Sequence, residues 1–568
     1  MQLTEEQKAI IECPGNAKIQ AVAGSGKTST LIEYARRRGK NRKILYLAFN
    51  RSVKIEAQNR FQKAGLPNVR VETAHSLAWN SIVAQSGYKV RTAYKPWEIV
   101  NILNIKPVGR DPVSATLIGG HVGKFVSVFC NHTNTKVQDI DYRNFVTDKN
   151  AHGFVQKHYE KIVDGTRRFL AMMNNSSIEI THEFYLKKFQ LASPDLYYDI
   201  ILFDEGQDAS PVMLDVFLNQ HKTTRIIVGD PHQQIYGWRF ATNALDRIDY
   251  QRYDLTTSFR FPQSIADLAL SILQWKKHLN STVDQSIKGI GNKPEKISTA
   301  LTLARTNLSL LRNAINFTCS GKKKKKIYFE GNINSYTYAS EGASIWDVLN
   351  LYLQKKENIK DPVINQMETL DELQEYADLS EDTELLTLIE IVNEHGKQLP
   401  FYMNKLKENH VTDQEKAKAD MIFSTVHKCK GLEYDFVTLE DDFISEKKLI
   451  RTKDKMDIST NDLDKLTEEI NLLYVAVTRS KGNLSLPENL LQDLPWPSHQ
   501  IHQNSRTTVS LRKKDHSKAY NAWTPEEDQR LKMLLRKNYS LKKISSELQR
   551  GKGAIMSRIR KLGLYSNI

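Results

Sequence analysis

The stretch Gln20–Leu31 constrains this chain more than any other. It reads QAVAGSGKTSTL. The apolar run Ile19–Val22 predicts a strand, Ala23-Gly24-Ser25-Gly26-Lys27-Thr28 a tight loop, and Ser29–Arg36 the helix that follows. Glycines let backbone N–H groups turn inward around phosphate oxygens, and the helix N-terminus adds its positive end. Lys27 supplies a point charge, and the Thr28 hydroxyl is suited to ligate Mg²⁺. The first glycine of the G-x-x-x-x-G-K-T pattern is replaced by Ala21. By itself the loop says nucleoside triphosphate; other motifs must say what the energy is used for.

Further buried-strand patterns follow at Lys43–Phe49, Val69–Glu72, Tyr198–Phe203 and Arg225–Val228, several of them ending in polar residues. Strands alternating with helices predict a parallel sheet with a nucleotide at its C-terminal edge. The α/β rhythm weakens over 81–193, which reads as a helical insertion. It resumes at Lys296–Arg305, Met421–Val426 and Phe436–Leu439, with a second insertion over 322–411. The expected fold class is therefore α/β, with two P-loop-type domains, each carrying a mainly helical insertion. The predicted boundaries are 1–80 with 194–255, then 256–321 with 412–494. A polar linker at 495–521 leads to a small three-helix domain at 522–568. Lys322–Lys326 reads as a solvated loop, with a nucleic-acid phosphate contact as the alternative.

Net charge is +15, and it is unevenly placed. From Ile501 onward there are 16 Lys/Arg against 5 Asp/Glu, whereas the preceding residues are nearly balanced. Such a tail suits a polyanion. The four cysteines are scattered, with none at metal-ligand spacing, which speaks against a zinc or iron–sulfur site. No apolar run approaches the ~18 residues of a membrane span, and no membrane partner is expected. A reducing compartment is expected: cytoplasmic and nucleoid-associated, or nuclear in a eukaryote.

Asp204-Glu205-Gly206-Gln207-Asp208 directly follows an apolar strand. Phosphoryl transfer to water needs a metal held at the phosphates and a group that orients the water. Asp204 suits the first role and Glu205 the second. Gly229–Arg239 (GDPHQQIYGWR) places an amide beside aromatics. Gln234 is suited to sense a γ-phosphate, while Tyr236 and Trp238 can stack on bases. Leu3–Gln7 has the form of a capping box, so Gln7 is a candidate for either the cap or the nucleotide.

The ordered motifs resemble those of UvrD/Rep-type superfamily 1 DNA helicases. Leu3–Ile10 is similar to the Q motif, with Gln7 reading adenine. Ala23–Thr28 resembles motif I, with Ser29 adjoining, and Phe49-Asn50 and Thr73–Leu77 (with His75) resemble the DNA-contacting segments that follow. Asp204–Asp208 resembles motif II and Gly229–Arg239 motif III, including Arg239. Ser258-Phe259-Arg260 resembles motif IV, in which Phe259 would stack on adenine and Arg260 would reach the γ-phosphate. Thr425–Glu433 resembles motif V, with His427 near DNA and Glu433 at the ribose. Leu473–Arg479 resembles motif VI, with Arg479 as a second arginine finger. DEGQDASP, GDPHQQIY, SFRF and IYFEG bring the wording closest to the F-box DNA helicase branch. The helicase pattern begins at Leu3, so ubiquitin-ligase functions are not expected to carry over. Phe240 departs from the glycine that many relatives carry after the W-R pair.

The resemblance implies two RecA-like domains closing on ATP and Mg²⁺. Lys27, Thr28, Asp204, Glu205 and Gln234 would come from the first domain, Arg260 and Arg479 from the second. The implied partners are single-stranded and tailed or forked DNA, bound by a monomer that moves 3′ to 5′ in repair, recombination or replication. Two alternatives remain open: a translocase that strips proteins from DNA, and an ATP-switched DNA-binding regulator. Ala522–Leu564 resembles a Myb/SANT-like helix-turn-helix. Its last helix, carrying Arg558, would meet duplex DNA; the alternative is a protein-docking module.

Overall fold

The computed structural model describes residues 3–496 and 523–562, apart from 110, 112, 238–242, 320–323, 339–342, 456–459, 538, 540, 551–554, 556, 557, 560 and 561. Two compact units result, Met1–Trp496 and Pro497–Ile568.

The first unit contains two parallel sheets. The first is built from β1 (Ala17–Ala21), β2 (Ile44–Ala48), β3 (Val69–Thr73), β6 (Ile200–Phe203), β7 (Thr224–Gly229) and β8 (Gln251–Leu255). Its order is β3-β2-β6-β7-β1-β8, with every pairing parallel. β4 (Val90–Arg91) and β5 (Ile180–Thr181) form a small parallel pair within the first insertion. Because helices cover both faces, the central strands are apolar throughout rather than alternating. All residues of β2 and β6 are buried. Ile44, Tyr46 and Ala48 pack in one core, and Leu45 and Leu47 in the core on the opposite face.

Three helices frame the first sheet's nucleotide end: α1 (Glu5–Glu12), α2 (Lys27–Arg38) and α3 (Arg51–Lys63). Thr4 and Gln7 form the expected capping box on α1. α2 starts at Lys27, two residues earlier than the pattern predicts, because Gly26 is left-handed (φ 79°) and turns the loop into the helix.

β9 (Thr257–Ser258) and β10 (Lys288–Gly289) pair at the passage to the second sheet. That sheet comprises β11 (Ala300–Ala304), β12 (Ile327–Phe329), β13 (Met421–Thr425), β14 (Tyr434–Leu439) and β15 (Ser480–Ser485), all parallel, in the order β12-β13-β11-β14-β15. The helix Thr460–Val477 packs in its core and ends at the motif VI residues.

The first insertion is built on the helices Pro96–Leu103, Val113–Asn131, Lys149–Asn174 and His182–Leu191. The helix Val113–Asn131 is long and apolar enough to cross a membrane by length and composition, which the sequence reading overlooked. Most of it is buried, as suits a core helix. The second insertion, between β12 and β13, is helical and forms a core with the helix Asn307–Cys319. The two insertions touch: the Glu381 carboxylate accepts hydrogen bonds from Thr147 N (2.7 Å) and Asp148 N (2.8 Å).

In the second unit, Thr524 caps the helix Pro525–Arg536 with Glu527 completing a capping box, and a second helix spans Leu541–Leu548. Leu531, Leu534, Ile544, Leu548, Ile555 and Ile559 form one apolar cluster, with Trp523 and Leu562 at its margin. Arg550 donates to the Glu527 carboxylate at 2.7 Å within this core. Arg558, expected at a DNA groove, pairs with Asp528 here through a 2.7 Å bond from Nε.

Candidate active site and nucleic-acid interface

β1 runs into the loop Val22–Gly26, where Gly24 (φ 74°) and Gly26 both take left-handed backbone. A Cβ on Gly24 would lie 2.5 Å from Arg260 Cβ, so nothing larger than glycine fits. The Ser25 hydroxyl is buried without a hydrogen-bond partner among the described residues. A phosphate-binding loop is where such an orphan finds a use.

Lys27 Nζ lies 2.9 Å from both carboxylate oxygens of Glu205. Burial opposes charge on each, but the mutual attraction prevails. The lysine is raised, and the Glu205 carboxyl is held low by Lys27 and then Lys430. Asp204 behaves oppositely: burial, then the neighbouring Glu205 charge, raises its carboxyl. Glu205 N donates to Asp204 Oδ1 at 3.0 Å, and the Tyr46 phenol donates to Oδ2. Glu205 itself has left-handed backbone (φ 54°), a conformation that costs energy outside glycine and clusters at functional sites.

Thr28 and Asp204 are hard oxygen donors of the kind Mg²⁺ takes. Thr28 follows Lys27 at the start of α2, and Asp204 follows β6 with its carboxylate held by the Tyr46 phenol. The donor set thus fits that ion.

Gln207 links two motifs. Its Nε2 donates to Glu205 Oε2 at 2.6 Å, and its Oε1 accepts from Asp230 N at 3.1 Å. A Cβ on Gly229 would lie 2.2 Å from Gln207 Oε1, so a larger residue would displace that amide from Asp230 N. Asp230 Oδ2 in turn accepts from Tyr474 of the second sheet's helix at 2.9 Å.

Gln7 and Phe259 flank the loop. A Cβ on Gly26 would lie 3.4 Å from Gln7 Nε2 and 4.0 Å from Phe259 Cε2. Gln7 takes the cap position and also reaches α2. Its Oε1 accepts from Thr4 N at 3.0 Å, and its Nε2 donates to Thr30 on α2 at 3.1 Å.

The arginines stand differently from the expectation that both face the loop from the second domain. β8 pairs with β1, and the chain after it is bonded to the loop: Phe259 N to Gly24 O at 2.9 Å, Ser258 Oγ to Ala23 O at 2.7 Å. Arg260 therefore rises from beside the loop. Only its guanidinium crosses, to Glu433 Oε2 (2.9 Å) and Thr478 O (3.1 Å). Arg479 does come from the second sheet's side. It is 1% exposed and donates to the carbonyls of Val475 (3.0 Å) and Leu432 (3.1 Å). No carboxylate pairs with it among the described residues. Burial, then Arg260, lowers it to about 10.

A further cation was missed by the sequence reading. Lys430 crosses from motif V to the Asp208 carboxylate and donates to Gln233 O at 2.6 Å. Its ammonium also lies 4.8 Å from the Tyr236 ring centroid. The signal was its place two residues before Leu432-Glu433, inside a motif already singled out.

Tyr236 begins the other half of the site. Its ring stacks on Phe49 at 5.5 Å with a 23° interplanar angle. Its hydroxyl donates to His427 O at 3.1 Å, while His427 Nε2 lies 3.0 Å from Ile235 O. Asn50 adjoins Phe49, but its side-chain oxygen caps α3 by accepting from Val53 N at 2.9 Å. His75 sits in an aromatic group with His182 and Tyr185. Trp238 and Arg239 lie outside the described residues. Gln234 follows β7 at the seam, where its carbonyl accepts from Asn471 at 2.9 Å.

Comparison with known families agrees with this arrangement. The UvrD/REP helicase N-terminal domain matches residues 3–246, and the UvrD-like helicase C-terminal domain matches residues 168–489. The chain belongs to the UvrD-like helicase family. F-box DNA helicase 1 of Gallus gallus is 30% identical over 525 residues, covering 86% of this chain and 49% of that protein. F-box DNA helicase protein 1 of Schizosaccharomyces pombe is 29% identical over 537 residues, covering 86% of this chain and 58% of that protein. The chain thus spans about half the length of these relatives.

Proposed function

We propose that this UvrD-like chain is an ATP-dependent DNA helicase or translocase that moves 3′ to 5′ along single-stranded DNA. The observation that carries this reading is Arg479, a buried cation that among the described residues is held by carbonyls and a hydroxyl and by no carboxylate. Buried unpaired charge is costly, and an anionic substrate between the sheets repays it.

ATP would lie on Ala23–Ser29 with adenine between Gln7 and Phe259 and ribose at Glu433. Lys27 then turns from Glu205 to the phosphates, and the freed carboxylate orients the attacking water. Arg260, Arg479 and Lys430 offset charge developing on the transferred group. Thr28 and Asp204 would hold Mg²⁺, which when bound neutralises phosphate charge. Gln234 would couple this chemistry to the Phe49–Tyr236 pair, on which bases of a single strand would stack. Closing and opening across Lys430–Asp208 and Tyr474–Asp230 would move one sheet domain along the strand relative to the other. The basic second unit is suited to duplex DNA.

The test is DNA-stimulated ATP hydrolysis together with unwinding of duplexes carrying a 3′ or a 5′ tail. The expected result is stimulation by DNA and unwinding from the 3′ tail, both lost in Lys27→Ala and Glu205→Gln. Hydrolysis indifferent to DNA would overturn the reading.

A further inference from the structure

Tyr46 belongs to none of the motifs above, yet its hydroxyl ends at the carboxylate of Asp204. It lies on β2 and is fully buried. Its ring meets Phe61 edge-on at 5.2 Å within the core beneath α2 and α3. Packing explains the ring but not the hydroxyl. A buried phenol is costly unless it finds a partner, and the partner here is the carboxylate of Asp204, 158 residues downstream.

We propose that Tyr46 is a positioning residue that holds Asp204, and through it the divalent cation of the nucleotide site, in place. Asp204 Oδ1 accepts from Glu205 N, and Oδ2 accepts from Tyr46. The two donors pin both oxygens, fixing the plane of the carboxylate. A carboxylate has about four acceptor positions, so pinning by two donors leaves lone pairs for a cation. The hydroxyl thus acts on Asp204, one of the two residues suited to Mg²⁺. Partners of this kind orient metal ligands, and their removal typically weakens metal binding about 10- to 100-fold.

This inference rests on the nucleotide-site reading proposed above, and the test separates the two. Full-length protein binds a fluorescent, non-hydrolysable ATP analogue, first in EDTA and then across a Mg²⁺ titration. In Tyr46→Phe, binding in EDTA should match wild type, while the half-saturating Mg²⁺ concentration rises about 10-fold. Circular dichroism and thermal unfolding establish that the variant is folded. An unchanged Mg²⁺ midpoint in the folded variant, with Asp204→Asn abolishing the Mg²⁺ response, overturns the role of Tyr46 alone. A wild-type protein that binds no nucleotide overturns the underlying reading and this inference with it. Should Tyr46→Phe fail to fold, 3-fluorotyrosine at position 46 keeps the ring and the hydroxyl but makes the phenol more acidic. A shift of more than about two-fold in the Mg²⁺ midpoint is then expected, and an unmoved midpoint overturns the proposal.

Discussion

Lys27 Nζ bridges both oxygens of Glu205 at 2.9 Å, so the two buried charges neutralise each other. On the proposed function, ATP would compete with an internal anion for Lys27. Glu205→Gln removes that competitor while keeping the shape. It should bind nucleotide at least as tightly as wild type, yet lose hydrolysis by about a thousand-fold or more. Equilibrium binding beside steady-state turnover checks the split. A parallel fall in both would show that Glu205 acts on affinity instead.

Arg260 spans from the loop side to Glu433 and Thr478 O. Arg260→Ala should lower DNA-stimulated turnover about 100- to 1,000-fold, the usual scale for removing one donor to developing charge. Affinity for single-stranded oligonucleotide should stay within about two-fold, since Arg260 is no part of the Phe49–Tyr236 stack. Fluorescence anisotropy with labelled oligonucleotide reads the second quantity.

Tyr236 stacks on Phe49 and also bonds to His427 O. Tyr236→Ala should weaken single-strand binding by about 1–3 kcal/mol, roughly 5- to 150-fold. Tyr236→Phe keeps the stack and should retain most of that affinity. Equal losses in the two variants would assign the effect to the hydroxyl bond across the seam.

Glu440 follows β14, where its carboxylate accepts from Asn313 at 2.7 Å. Burial, the largest influence, raises it to about 7 from 4.5. The folded state therefore holds a proton that the unfolded state releases above its ordinary range. The favourable contribution is complete below pH 4.5 and is lost as pH rises through about 7. Glu440→Gln should be nearly neutral at pH 5 and stabilising at pH 8.5. The gain should be about 1–2 kcal/mol, reduced from the full shift because the side chain is partly exposed. Thermal unfolding at the two pH values is the measurement.

Arg550 and Glu527 form a pair with 4% and 9% side-chain exposure in the second unit. Removing one partner strands a buried charge, at about 3–5 kcal/mol. In the full chain, Arg550→Ala should raise amide exchange across Pro525–Leu548 and leave the first unit's sheets unchanged.

Much of this site is readable along the chain because its parts are local. The loop Ala23–Thr28, Asp204-Glu205 after an apolar strand, and the helix start at Thr524 each declare themselves within a few residues. The apolar patterns also locate most strands of both sheets, since parallel strands buried on two faces need continuous apolar runs. Tyr46, Gln207 and Lys430 were not readable in this way. Tyr46 reads as one more apolar residue of β2, and Lys430 as one more lysine in a basic stretch. Their partners lie 158 and 222 residues away. Asn50 and Arg558 were legible by residue type, but not their partners: one caps α3 and the other pairs with Asp528.

By itself, then, the sequence determined the inventory: a phosphate loop, two sets of buried parallel strands, an ordered series of polar strand ends and a basic tail. These follow from short-range rules of periodicity, capping and glycine geometry, which act within a turn or a strand. Only the tertiary structure decided who meets whom. It set Lys27 against Glu205, raised Arg260 from beside the loop, left Arg479 buried among carbonyls and aimed the Tyr46 hydroxyl at Asp204. Those choices depend on how β1, β2, β6 and β8 order themselves in the sheet, and contacts that close over such separations leave no periodic trace in the chain.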